Sequence, residues 1–434
     1  MGEVAVSTHR LAAFRGKRVL LLQGPVGPFF WRLARDLRWA GAHVCKVNFN
    51  GGDWLFYPLG AIAYRGHMNE WPAFLEQLLV ERQIDVVLLL GDCRPIHAVV
   101  EAIANRHDIE VGVFEEGYVR PDYITLESGG VNGYSLIPRR PIFYLNTPCR
   151  PYSEPRKVEN PFYYVLLWAM LYYLASALLY PVFRHYRHHR PLNPLEALPW
   201  IRAAWLKLYF RFRERGIEAS LRGRSGEYFL VPLQVHNDAQ IHMHSPFNGV
   251  PDFIRHVIKS FAVNAPASTL LVIKHHPLDR GYREYGRYIR QQAEALGVAE
   301  RVIAIHDQHL PSLLEHARGV VVINSTVGFS AVHHDTPVKV CGSAVYNMQG
   351  LTFQGSLDEF WSRATSERID RKLYVRFRNY LIVKTQLNGS FYKRLDIPGS
   401  HTGMVWQLPG YTNSPADADA TVREQAGESS GNVD

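Results

Sequence analysis

The chain has 434 residues, 47% of them hydrophobic, which is enough apolar material for two substantial cores and a connecting segment. A formal charge of +8 and 23 Tyr, 21 Phe and 9 Trp call for an anionic partner and an amphipathic surface; lipid headgroups or an anionic sugar nucleotide fit as well as nucleic acid. Cys45, Cys93, Cys149 and Cys341 are scattered without a C-x-x-C pair, which indicates neither a disulfide framework nor a zinc ribbon and favours a reducing compartment. Met1 to Arg10 lacks a charged region followed by an apolar stretch, so the expectation is a cytoplasmic protein.

Strand-like runs alternate with helical stretches through the first part of the chain, the rhythm of βαβ units in a parallel sheet. Strands are predicted at 18–23, 43–48, 85–90 and 111–114, with helices at 29–40 and 70–82 between them. The uncharged segment Phe162 to Tyr180 then breaks the rhythm and is followed by the basic Arg184-His-Tyr-Arg-His-His-Arg190. Its length reaches the threshold for a membrane span, but its tyrosines and one-sided basic cluster favour a helix lying in a membrane interface, with a buried interdomain helix as the remaining alternative. Trp200-Ile-Arg-Ala-Ala-Trp-Leu-Lys-Leu-Tyr-Phe-Arg-Phe-Arg213 adds to the interfacial reading, against the plainer one of a solvated basic face on linker helices.

The βαβ rhythm returns with strands at 228–233, 269–274, 301–305, 319–323 and 338–341. The resulting organisation is an N-terminal Rossmann-like domain (1–151), a helical membrane-proximal linker (152–226), a C-terminal Rossmann-like domain (227–365), helices packing back on the first domain (366–408) and a disordered tail (409–434). The tail's Asp417-Ala-Asp419 matches a metal-binding D-x-D by letter only, because a disordered segment cannot hold two carboxylates in metal geometry.

Four clusters lie just past predicted strands, where ligands of doubly wound sheets bind. Leu233-Gln-Val-His-Asn-Asp-Ala-Gln240 concentrates Gln234, His236, Asn237, Asp238 and Gln240 beside a core strand, although an Asn-Asp turn would account for part of it. Phe114-Glu-Glu-Gly-Tyr-Val-Arg-Pro121 offers Glu115, Glu116 and Arg120; strand alternation predicts that one of the two glutamates faces the cleft, and a surface pair is the plain alternative. In Lys274-His-His-Pro277 the lysine and one imidazole can neutralise a phosphate while Pro277 fixes the turn, unless the histidine is merely a satisfied loop residue. Asn324-Ser-Thr-Val-Gly328 places hydroxyls and free N–H groups at a helix start, a phosphate grip or a simple cap. Their co-occurrence across two Rossmann-like halves marks a site. The pairs His242 and His244, His188 and His189, and His333 and His334 have no carboxylate or cysteine at a recognised spacing, so no metal is expected. Gly24-Pro-Val-Gly-Pro28 lacks the order of a dinucleotide loop, which disfavours hydride transfer.

With Leu22-Gln-Gly-Pro25, Phe49-Asn-Gly-Gly-Asp53 and Gln386-Leu-Asn-Gly-Ser-Phe-Tyr392, these clusters make the chain resemble the capsule polysaccharide biosynthesis proteins of the KpsS/LipB type over roughly residues 16 to 395. The resemblance implies a GT-B fold, two Rossmann-like domains facing across a cleft and joined by the helical basic-aromatic linker. It implies a retaining β-Kdo transferase that uses CMP-β-Kdo and a phosphatidylglycerol-type glycolipid acceptor to start the oligo-Kdo linker of a Gram-negative capsule. The site would be peripheral on the inner face of the inner membrane, near a capsule assembly or export complex, with no nucleic acid partner. Asp238 would be the nucleophile and Glu115 or Glu116 the base. Lys274, His276, Pro277, Asn324, Ser325, Thr326 and Gly328 would hold the CMP phosphate, and Arg120, Gln23, Gly24, Gln234 and Gln240 would contact substrates. With the leaving group neutralised by protein groups, no metal or other cofactor is required. The alternatives are a transferase that extends the Kdo linker, a sialyltransferase using the same donor type, and a noncatalytic protein that binds capsule glycolipid for export.

Overall fold

The computed structural model describes residues 9–150, 152–186 and 197–406. Arg187 to Arg190, Asp417 and Asp419 lie outside the described residues, as does the tail beyond Trp406. The first half contributes strands β1 (Arg18–Leu21), β2 (His43–Asn48), β3 (Ile62–Ala63), β4 (Val86–Leu90), β5 (Glu110–Glu116) and β6 (Tyr123–Ser128). The second contributes β7 (Tyr228–Pro232), β8 (Leu270–Lys274), β9 (Val302–Ile305), β10 (Gly319–Val322) and β11 (Val338–Val340), and β12 (Gln386–Asn388) follows near the end. Two sheets result, ordered β12-β6-β5-β4-β1-β2-β3 and β11-β10-β7-β8-β9. The β-branched and leucine runs of β4, β7 and β8 are buried along their whole length, as parallel strands covered on both faces must be.

The second sheet is parallel throughout. The first departs from the purely parallel rhythm: β6 runs antiparallel to β5, and β12 antiparallel to β6. Tyr123 to Ser128 turns back directly after Pro121, so no crossover helix separates it from β5, and the sequence pattern of an all-parallel half misses it. The return of β12 is held by side chains as well as the ladder. Gln386 Oε1 accepts the N–H groups of Tyr118 (3.0 Å) and Val119 (3.3 Å), and Asn388 Nδ2 donates to the Asp122 carbonyl at 2.7 Å. The Gln386-Leu-Asn motif thereby fixes the loop that follows Glu116.

The helix Arg371–Lys384 packs between the halves, with Phe377 edge-on to Tyr144 of the first half and to Phe329 of the second. Phe49-Asn-Gly-Gly-Asp53 proves to be a helix dock. Asn50 Nδ2 donates to the Tyr172 hydroxyl at 2.7 Å, and Gly52 N–H donates to Ser176 Oγ at 3.0 Å. A Cβ on Gly51 would lie 2.1 Å from the Ala175 carbonyl oxygen, and one on Gly52 would lie 2.3 Å from the Tyr172 ring, so only glycine admits the linker helix Phe162–Leu178 this closely.

That helix hides Tyr172 and Ser176 against the protein and exposes Tyr163, Leu167, Met170, Leu174 and Leu178. The second linker helix, Ala197–Arg213, exposes Trp205, Leu208, Tyr209 and Phe212, and its Lys207 Nζ sits 5.8 Å from the centroid of the Phe162 ring. The two helices therefore share an apolar, basic outer face. Among the described residues, no helix is long and apolar enough to cross a membrane.

The dock predicts the cost of crowding it. Gly52→Val should destabilise the protein by about 1–3 kcal/mol in chemical unfolding, the usual penalty for overpacking a close contact. Wild-type stability in that variant would contradict the close approach of the Phe162–Leu178 helix.

Candidate active site

In doubly wound sheets the binding crevice opens at the carboxyl end, where neighbouring strands send their connections to opposite sides. Here β7 and β10 are such neighbours in the second sheet, and β1 and β4 in the first. A cavity of about 390 Å³ lies at this place, between the halves. The first half lines it with Cys93, Arg94, Glu115, Glu116, Arg120 and Asn132; the second contributes Gln234, Asp238, Gln240, His276, Asn324, Ser325 and Thr326. A larger hollow of about 710 Å³, lined by Lys17, Asp85 and Glu110, is open to solvent at the opposite edge of the first sheet, where strands begin and no loop motif converges.

Both glutamates line the cavity, which corrects the expectation that alternation would turn one of them away. β5 ends at Glu116 and Gly117 turns the chain, so strict alternation stops between the two. Glu115 Oε1 accepts the Glu116 N–H at 3.0 Å, and Glu116 Oε1 accepts from the Tyr392 hydroxyl at 3.3 Å. Burial, reinforced by the Glu116 charge and opposed by its backbone hydrogen bond and Arg94, pushes the Glu115 carboxyl up to about 7. Glu115 thus reaches the range suited to a general base at neutral pH.

Asp238 caps the short helix Ala239–His244, its Oδ1 accepting the Gln240 N–H at 2.9 Å. Its other oxygen accepts from Gln234 Nε2 at 2.9 Å, and the same amide nitrogen donates to Asn324 Oδ1 at 3.0 Å. Asn324 Nδ2 in turn donates to the Gln240 carbonyl at 3.1 Å. Gln234 and Asn324 are therefore positioning residues that orient the carboxylate and tie the loop after β7 to the loop after β10. The Asn237-Asp238 turn reading and the site reading coexist, since one oxygen caps while the carboxylate as a whole faces the cavity.

Ser325 is the N-cap of Thr326–His333, its Oγ accepting the Val327 N–H at 3.2 Å, so the simple cap is present and the helix start opens into the same cavity. His276 Nδ1 accepts the Leu278 N–H at 3.2 Å, which leaves Nε2 to carry the proton. Burial, with the charges of Lys274, His275 and Arg120, lowers its pKa to about 4. His276 accordingly meets an anion as a neutral hydrogen-bond donor, a correction to the expected neutralising imidazolium.

Five expected site residues lie elsewhere. Lys274 is buried, and its Nζ donates to the His306 carbonyl at 2.9 Å on the β9 side, away from the cavity lining. Pro277 opens a 3₁₀ turn behind His276. A Cβ on Gly328 would lie 2.2 Å from the Tyr346 hydroxyl, and one on Gly24 would lie 2.6 Å from the Phe30 ring, so both glycines serve packing. Gln23 is buried among Asp53, Tyr172 and Tyr186. It reaches the cavity only through Arg94, whose guanidinium donates to Gln23 Oε1 at 3.2 Å. Arg94 and Cys93 are among the cavity residues that sequence reasoning passed over, as is Asn132 of the 3₁₀ turn after β6. The first two sit in Gly91-Asp-Cys-Arg-Pro95 immediately beyond β4, and the rule that singled out the other loops would have found them had it been applied to that strand.

Two Rossmann-like units facing across such a cleft define a GT-B architecture, the fold of a large class of glycosyltransferases. Residues 85–392 match the family described as "Capsule polysaccharide biosynthesis protein". The chain is 42% identical over 381 residues to "Capsule polysaccharide export protein KpsS" of Escherichia coli, covering 87% of this chain and 97% of that protein. It is 40% identical over 399 residues to "Capsule polysaccharide modification protein LipB" of Neisseria meningitidis serogroup A, covering 89% and 94%. Among solved structures, "Thermosulfurimonas dismutans KpsC, beta Kdo 2,7 transferase" aligns over 88% of this chain and 94% of its own at 15% identity, with a TM-score of 0.41, too distant to bear on chemistry. The protein belongs to the capsule polysaccharide biosynthesis family.

The His276 environment sets a direct check. Its ring resonances should stay flat from about pH 9 down to pH 5.5 in an NMR titration, given the lowered pKa of about 4. A midpoint near the unperturbed value of about 6.5 would contradict this burial.

Proposed function

We propose that the protein is a retaining glycosyltransferase that moves β-Kdo from CMP-β-Kdo to a phosphatidylglycerol-type lipid and so starts the oligo-Kdo linker of a Gram-negative capsule. The observation that carries the reading is the convergence of Asp238 and Glu115 from opposite halves on one cavity that also receives the start of the Thr326–His333 helix. Family membership supports the capsule context, and the motif resemblance supplies the donor and acceptor.

In this reading Asp238 attacks the anomeric carbon, the bond to the CMP phosphate oxygen breaks, and a glycosyl ester forms on the protein. The departing phosphate is received by the N–H groups and hydroxyls at Ser325 and Thr326 and by the His276 N–H, with Arg120 nearby. Glu115 then takes the acceptor's hydroxyl proton as its oxygen displaces Asp238, so two inversions give net retention. Arg94 and Arg120 are the cations available to the sugar carboxylate, and Gln240 faces the same space. Protein groups carry out each step without a metal. The exposed aromatic and basic face of the two linker helices rests on the inner leaflet, which delivers the lipid acceptor to the cleft.

The same face favours a second reading, a noncatalytic protein that binds capsule glycolipid for export; it requires lipid binding but no turnover. Incubating the protein with CMP-Kdo and a short-chain phosphatidylglycerol, with mass spectrometry of the lipid, separates the two. One added Kdo supports initiation, product only from a Kdo-primed lipid supports the extending role, and no product from either favours the export protein.

Turnover should also carry the signature of Glu115. The acid's pKa is raised to about 7, so the basic form accumulates above that pH and kcat/KM should rise through an ionisation near 7. The stability sign is the reverse: this carboxyl binds its proton more tightly in the folded state, so its contribution is full below the unfolded pKa and is lost as pH rises through about 7. Glu115→Gln should lower kcat by about 10²–10⁴-fold and abolish that ionisation. An unchanged profile would move the base role to Glu116.

A further inference from the structure

The loop after β4 and the helix Ala239–His244 approach each other across the cleft, and four metal-competent side chains meet there. Cys93 Sγ lies 3.5 Å from His244 Nε2, 3.2 Å from Asp92 Oδ1 and 3.6 Å from the side-chain amide nitrogen of Gln240. The ligand atoms of Asp92, Cys93 and His244 are all within 4.8 Å of one another. Zinc bonds of about 2.3 Å to sulfur and 2.0–2.2 Å to nitrogen or oxygen place two ligands of one tetrahedral ion roughly 3.5 Å apart. All three separations from the sulfur fall close to that value.

The surroundings hold these groups in place. Asp92 Oδ2 accepts the Val131 N–H at 2.9 Å, which turns Oδ1 toward the sulfur. The His244 ring is buried, edge-on to Tyr134 at 4.4 Å between centroids. Gln240 Oε1 is buried without a hydrogen-bond partner, and half a turn of its amide exchanges that orphaned oxygen with the nitrogen now at 3.6 Å from the sulfur. The sequence gives no hint of this set, because Asp92 and Cys93 are separated from Gln240 and His244 by the linker.

We infer that Asp92, Cys93, Gln240 and His244 form a site for a thiophilic divalent cation, zinc by preference, that clasps the two halves of the cleft together. Binding releases the Cys93 thiol proton to solvent and forms one metal–thiolate bond, with the imidazole, a carboxylate oxygen and an amide oxygen completing the tetrahedron. Soft thiolate with imidazole favours zinc over magnesium or calcium. The ion is structural, but Cys93 and Gln240 also line the cavity proposed for transfer, so ligation takes Gln240 out of substrate contact. A second group, His275, Glu284 and His306, is also compact, but His275 Nε2 accepts the Tyr285 N–H at 3.1 Å, so its other nitrogen carries the hydrogen and cannot ligate.

The test is a cobalt titration of the full-length, chelator-treated protein. One equivalent of Co²⁺ should produce a thiolate-to-cobalt charge-transfer band with intense tetrahedral d–d absorption, and Zn²⁺ should displace both. Cys93→Ser should remove the charge-transfer band, His244→Ala should weaken cobalt binding by more than the roughly 10–100-fold that losing an outer-shell partner costs, and Cys149→Ser should leave the spectrum unchanged. Circular dichroism of each variant separates loss of the site from loss of the fold. Cobalt bound without a thiolate band, a band that survives Cys93→Ser, or a band seen only at millimolar cobalt would overturn the inference.

Discussion

A single amide governs the geometry of the cleft. Gln234 Nε2 donates both to Asp238 Oδ2 at 2.9 Å and to Asn324 Oδ1 at 3.0 Å, joining the loops that leave two adjacent strands in opposite directions. A buried amide with good partners on both sides costs little, whereas leaving either partner unsatisfied costs about 1–3 kcal/mol. The carboxylate and the helix start that would receive a phosphate are thus fixed relative to each other. In the proposed chemistry these are the groups that touch the reacting carbon and its leaving group, where a displacement of about 1 Å is expensive.

The halves are brought to face each other by chain segments rather than by the sheets themselves. The C-terminal strand crosses back, and Gln386 pins the loop after Glu116; the Arg371–Lys384 helix wedges Phe377 between Tyr144 and Phe329. Each linker helix is keyed to one half. Tyr172 of the first reaches Asn50, and Gln23 connects that network to Arg94 in the cavity. Phe210 of the second stacks on His306 at 3.5 Å between centroids, while Glu214 accepts the His306 ring N–H at 2.6 Å. The Lys274 ammonium, which belongs to this cluster through the His306 carbonyl, supports the loop bearing His276 from behind.

The parallel strands were legible because long β-branched runs ending in polar loops have few other uses, and two Rossmann-like halves followed from meeting that rhythm twice; the GT-B arrangement came from the family resemblance. The antiparallel β6 and β12 were not, since both are largely buried and so lack the alternation of a half-buried strand, and β12 pairs with a strand distant in sequence. The same limit applies to the candidate site. Asp238, Glu115, His276 and Ser325 stand out locally, yet the direction of Lys274 depends on a carbonyl at the next strand's end. Gly24, Gly51, Gly52 and Gly328 read alike as letters, and each is explained only by the side chain or helix that approaches it. Cys93 and His244 lie 151 positions apart, so no spacing rule could pair them.

The central claim is that Asp238 and Glu115 act on one sugar from opposite sides of the cleft, and trapping the intermediate tests it most directly. Glu115→Gln would be mixed with CMP-Kdo alone, the intact mass recorded, and the digest mapped. A mass increase of one Kdo on the peptide containing Asp238, absent when Asp238 is also changed to Ala, is the predicted result. An adduct on another residue, or none from a variant that still binds CMP, would contradict the assignment.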